Sequence, residues 1–156
     1  MQQVKNRALI SSMPIPKKIK NVAKIIQFLS HRLVTKFALK LFSTPVKFPL
    51  PKREKMMWES AQKSRLKVAS ISKEIDVLTY GFSDKKVLLV HGWCGRSTQL
   101  FMIADKLLEN GYMVISFDAP AHGNSEGKQA MMPDFIESIH VINKTHGPFA
   151  AAVGHS

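Results

Sequence analysis

A chain of 156 residues with 45% apolar and 22% charged residues is long enough for one domain with a buried core, and its composition is neither disordered nor fibrous. The net charge of +12 is unevenly placed: residues 1–67 hold 16 of the 23 Lys and Arg against two acids, Glu54 and Glu59, while residues 68–156 hold seven against nine. A basic N-terminal appendage therefore precedes a nearly neutral body. The single cysteine, Cys94, excludes an internal disulfide and fits a reducing, cytoplasmic setting. Nothing reads as a cleavable signal, and Arg32, Lys36 and Lys40 interrupt the most apolar stretch before it reaches the ~18 residues of a membrane span.

Residues 17–42 place Ile19, Val22, Ile26, Leu29, Leu33 and Phe37 at steps of three and four, with lysines largely opposite, which predicts a basic amphipathic helix. Thr44-Pro45 ends it. Pro45, Pro49 and Pro51 hold the following stretch extended, and residues 53–67 are expected as a second, polar helix. From residue 71 the period becomes two: Ile71, Lys73, Ile75 and Val77 read as a half-exposed edge strand. Val87–Val90 is a continuous apolar run of the kind buried on both faces of a parallel sheet. A helix capped by Ser97 or Thr98 follows, with Leu100, Ile103, Ala104, Leu107 and Leu108 inward and Gly111 at its end. Residues 112–117 form the next strand. Pro133 opens a helix with Ile136, Ile139 and Ile142 inward, and Phe149–Val153 is a third apolar strand. Alternation at this spacing predicts an α/β fold with a doubly wound, mainly parallel sheet. It divides the chain into a basic helical segment with a Pro-rich linker, residues 1–70, and a sheet domain, residues 71–156.

In such a sheet, chemistry gathers at the carboxyl ends of the strands. Here the three parallel strands run into His91-Gly-Trp-Cys-Gly, Asp118-Ala-Pro-Ala-His-Gly-Asn-Ser and Gly154-His-Ser. This trio, in this order, resembles the α/β-hydrolase family, which carries His-Gly-x after its third strand, a glycine-containing loop after its fourth and Gly-x-Ser-x-Gly after its fifth. The resemblance covers residues 71–156, the front part of the family's fold, and ends at the nucleophile position.

The resemblance implies a serine hydrolase of the esterase or lipase type, acting on an ester, thioester or related acyl bond. Ser156 is the implied nucleophile, on a tight strand-to-helix turn that requires a small residue two places before it, supplied by Gly154. Gly92 lets the backbone approach a substrate carbonyl, so that the Trp93 amide donates to the developing oxyanion; the partner donor in the family is the amide after the serine. His91 and His155 shape the oxyanion loop and the elbow, and the triad acid and base are expected beyond residue 156. On that reading the 156-residue chain is inactive by itself, and its sheet edge, bare after the third parallel strand, favours aggregation.

Cys94 reads as a small packed residue, since no basic partner adjoins it. His122 and His140 read as loop and helix-surface residues, Asp118 and Ser125 as structural members of their loop. Neither a metal nor a cofactor is expected: the chain has no His-x-x-x-His, no paired cysteines, no Gly-x-Gly-x-x-Gly and no Gly-Lys-Ser/Thr. The expected partner is a small acyl substrate. Nucleic acid is not expected, because the basic segment lacks interleaved aromatics or a binding fold. Two rivals stand beside the enzyme: a non-catalytic truncated hydrolase, and a protein bound to an anionic membrane surface through residues 17–42, which makes the location cytoplasmic and peripheral to a membrane.

Overall fold

The computed structural model describes residues 15–155, and contact density divides the chain between Leu41 and Phe42. In the first unit the expected single helix is two: α1 (Lys17–Leu29) and α2 (His31–Ser43), the latter ending within the second unit. The break is local. Ser30 is extended (φ −167°, ψ 130°); its amide donates to Ile26 O and closes α1, while its carbonyl accepts from Val34 N–H and opens α2.

The second unit is built on one mixed sheet of five strands in the order β1-β2-β4-β3-β5. These are β1 (Gln62–Val68), β2 (Lys73–Tyr80), β3 (Lys86–Val90), β4 (Met113–Phe117) and β5 (Ala151–Gly154). β1 and β2 pair antiparallel, as do β2 and β4, whereas β3 is parallel to both β4 and β5. Only a short α3 (Lys55–Ser60) stands where a helix over 53–67 was expected. Residues 62–68 are instead the edge strand, because Lys63, Arg65 and Lys67 alternate with Ser64, Leu66 and Val68 at period two and tolerate an edge exposed to water. β2 is consequently interior rather than an edge, with Ile75, Val77 and Leu78 buried.

Side-chain alternation along the strands sorts the core into two layers. Leu88, Ile115 and Phe117 face α5 (Met132–His146) and pack with Ile75, Val77 and Ile142. Val87, Leu89 and Val114 point the other way, onto Met57 of α3 and Leu100 and Ala104 at α4 (Phe101–Glu109). Helices therefore cover both faces, as the continuous apolar runs require. Pro133 does stand in the first turn of α5, where Asp134 accepts the Met131 N–H at 2.7 Å. Ile136 is not inward; it is 44% exposed, and Phe135 joins Ile139 and Ile142 on the buried face at steps of four and three. Ser97 and Thr98 do not cap α4 either, because the Thr98 hydroxyl is spent on Glu54 at 2.7 Å.

Candidate active site

The loop after β3 lies between the ends of β4 and β5, since β3 is flanked by both. At its start His91 is buried and its ring is fully used. Nε2 accepts the Ala119 N–H at 3.0 Å, so the proton sits on Nδ1 and is donated to Gly92 O at 2.7 Å. Burial holds the His91 pKa down at about 4, and the neighbouring His122 pushes in the same direction. The Gly92 carbonyl also accepts the Gly95 N–H at 2.9 Å. That carbonyl and the Trp93 N–H belong to one peptide plane, so two donors on the oxygen set the direction of the amide at its other end. Among the described residues the Trp93 N–H meets no acceptor.

The Trp93 ring, 45% exposed, stacks on Phe42 at 6.1 Å and meets His122 edge-on at 5.1 Å. His122 is loop-borne and buried among His91, Trp93 and Phe135. Its Nδ1 donates to Pro120 O at 2.9 Å, which leaves Nε2 a buried acceptor with no partner among the described residues, and burial lowers its pKa. Cys94 has a left-handed backbone (φ 56°), and its sulfur accepts the Val46 N–H at 3.3 Å.

The loop after β5 comes to the same place. Gly154 pairs with Val90, and the His155 N–H donates to Val90 O at 3.0 Å. A Cβ built on Gly92 would stand 2.8 Å from His155 O, so only glycine admits this approach of the two loops. Gly92, Trp93, Gly154 and His155 are thus brought together, with His91 behind them. Ser156 lies outside the described residues.

Asp118, at the end of β4, is a buried clamp: Oδ1 accepts the Ser97 N–H at 2.7 Å and Oδ2 the Asn124 N–H at 2.8 Å. Ser125 closes the same loop, donating to Asp118 O and accepting the Asp76 N–H. The sequence reading passed over Glu54, which is 3% exposed, accepts from Thr98 and lies 4.0 Å from Arg96 Nε. Arg96 in turn donates to Phe48 O. A signal existed in Glu54, the first acid of the sequence, before which every charged residue is a base. A cavity of about 300 Å³ beside this pair is lined by Phe48, Leu50, Trp58, Arg96 and Asn124 among others, and none of the five residues 91, 92, 93, 154 and 155 lines it. Among the described residues no group of three His, Cys, Asp or Glu is placed to hold a metal ion.

The sequence model described as serine aminopeptidase, S33, matches residues 82–145. An esterase from Pyrococcus furiosus superposes with a TM-score of 0.60 at 18% identity, over 72% of this chain and 46% of its own. The chain has the α/β-hydrolase fold. The thioesterase domain from the curacin biosynthetic pathway (TM-score 0.53, 23% identity, 62% of this chain and 37% of its own) shares the hydrolase architecture. So does an esterase from Exiguobacterium antarcticum (TM-score 0.54, 21% identity, 61% of this chain and 36% of its own). The chain spans less than half the length of these hydrolase-fold structures. No curated protein sequence matches it. No helix among the described residues is long and apolar enough to cross a membrane.

Proposed function

We propose that the chain is the front part of a serine hydrolase that cleaves an ester, thioester or related acyl bond of a small molecule in the cytoplasm. Ser156 attacks the acyl carbon, and the Trp93 N–H together with the amide following the serine holds the oxyanion. His91 and Gly92 orient that donor, and Gly154 and His155 shape the turn that carries the nucleophile. The base and the acid that orients it come, in this family, after later strands that the chain does not span. The observation that carries the reading is the approach of Gly92 to His155, with the Gly92 carbonyl held by His91 and Gly95 and the Trp93 N–H without an acceptor among the described residues.

The test uses a fluorophosphonate probe and a short acyl ester. The 156-residue chain neither takes up the probe nor hydrolyses the ester above background, because a serine hydroxyl without a base is a weak nucleophile. In a protein extended through the remaining strands, the probe labels Ser156, and Ser156→Ala lowers turnover by about 10⁶, the order found for loss of the nucleophile in another serine hydrolase. Full activity with alanine at 156 sinks the assignment, and an extended protein that is inert to both reagents favours the non-catalytic reading. We assign residues 17–42 a role outside the chemistry, as a segment facing an anionic membrane surface; the exposed apolar residues and unopposed lysines of α1 support it.

A further inference from the structure

The α1 helix carries two side-chain sets with the same spacing. Val22, Ile25 and Leu29 recur at steps of three and four, as do Lys17, Lys20 and Lys24, and a periodicity of 3.6 centres the two sets about 140° apart, with Lys18 one turn before Val22 on the apolar row and Phe28, 92% exposed, between the two sets. The apolar set is open to solvent: Val22 is 44%, Ile25 65% and Leu29 70% exposed, and no residue of the helix is buried. In α2, Arg32, Lys36 and Lys40 form a basic row at steps of four, and Leu33 is 52% exposed. Residues 15–41 hold seven Lys and Arg, and the first acid of the sequence is Glu54.

What covers this face must therefore be apolar at its contact and negative around it. A second copy would bring seven more bases against these seven, with no acid on either helix to answer them. A nucleic acid would satisfy the lysines and leave the exposed aliphatic edge in water. An anionic bilayer supplies both terms, acyl chains for the aliphatic edge and a surface potential that attracts each basic residue within a Debye length, about 10 Å at 0.1 M salt. With 13 residues, α1 is too short to span a bilayer and suited to lying in its plane.

We infer that α1 is an in-plane anchor for an anionic lipid surface, with Val22, Ile25 and Leu29 inserted at the acyl boundary and Lys17, Lys20 and Lys24 on the aqueous side. The inference rests on the reading of residues 17–42 as membrane-facing and adds insertion to it. The break at Ser30 lets α2 follow the surface as a separate helix, with its basic row adding attraction.

The test is co-sedimentation of the 156-residue chain with vesicles of phosphatidylcholine alone and with about one third phosphatidylglycerol, at ~0.05 and ~0.5 M salt. The chain binds the anionic vesicles at low salt and loses at least about tenfold at high salt, with little binding to the neutral ones. Ile25→Asn with Leu29→Asn, which changes no charge, weakens anionic binding about tenfold or more, and Lys20→Glu with Lys24→Glu weakens it and flattens its salt dependence. Trp58 and Trp93 both follow residue 41, so unchanged tryptophan emission shows that the sheet domain is intact in each variant. Absence of binding to anionic vesicles overturns the membrane reading and the insertion with it. Anionic binding that the two asparagines leave unchanged overturns insertion alone, with charge attraction remaining. A dimer that the asparagines dissolve, without vesicle binding, gives the face to a second copy and overturns both.

Discussion

Acid should loosen this fold through His91 before it protonates most carboxylates. In the folded chain Nε2 accepts the Ala119 N–H, so a proton placed there would set donor against donor in a buried site. The pKa accordingly falls from 6.5 to about 4, with burial the main cause. The sign follows directly. The unfolded chain binds this proton below about pH 6.5 and the folded chain only below about 4, so the neutral ring's contribution is complete above 6.5 and lost as pH falls to 4. A difference of this size is worth on the order of 3 kcal/mol, a large share of the 5–15 kcal/mol typical of a domain. His122 and His146, both lowered by burial, act in the same direction. Urea midpoints read by tryptophan fluorescence from pH 7 to pH 4, with imidazole NMR shifts recorded alongside, measure the effect. His91→Gln, which cannot titrate, should start less stable at pH 7 and lose about 3 kcal/mol less than the parent on the way to pH 4. A His91 imidazole titrating near 6.5, or the same pH slope with glutamine at 91, would refute the reasoning.

Five further substitutions separate local strain from tertiary cost. Gly111→Ala meets nothing within 4 Å but holds φ at +77°, and should lower stability by about 1 kcal/mol. Gly123→Ala, with φ +43° and a Cβ 2.0 Å from Asp118 Oδ2, must also displace the buried clamp and should cost on the order of 3–5 kcal/mol; equal denaturation midpoints for the two alanines would contradict this. Glu54→Ala strips buried Thr98 of its acceptor and Arg96 of its carboxylate, for roughly 3 kcal/mol, whereas a midpoint within error of the parent would show that the pair adds nothing. Ile142→Ala, at a site with 0% exposure, should cost about 2–5 kcal/mol, and Ile136→Ala, at 44%, under about 1 kcal/mol, the same denaturation series deciding both.

What the chain alone determined are the features whose cause is short-range. The apolar runs 87–90 and 112–117 are strands because nothing but burial on both faces suits them, and β3 and β4 lie there to within a residue. Gly111 and Pro133 mark a helix end and a helix start through backbone geometry that needs no neighbour. The hydrolase loops were legible for the same reason: His-Gly-Trp and Gly-His-Ser are read at strand ends, which periodicity locates. The tertiary structure decided what depends on partners distant in sequence. Basic residues 63, 65 and 67 join a strand because β2 offers its edge, and Ile136 yields the core to Phe135 because the sheet meets α5 at one particular rotation. Thr98 abandons the helix cap for Glu54, 44 residues away, and Gly92 meets His155 only because β5 pairs beside β3. Such contacts leave no period in the chain, since a hydrogen bond across the fold constrains two residues and says nothing to those between them.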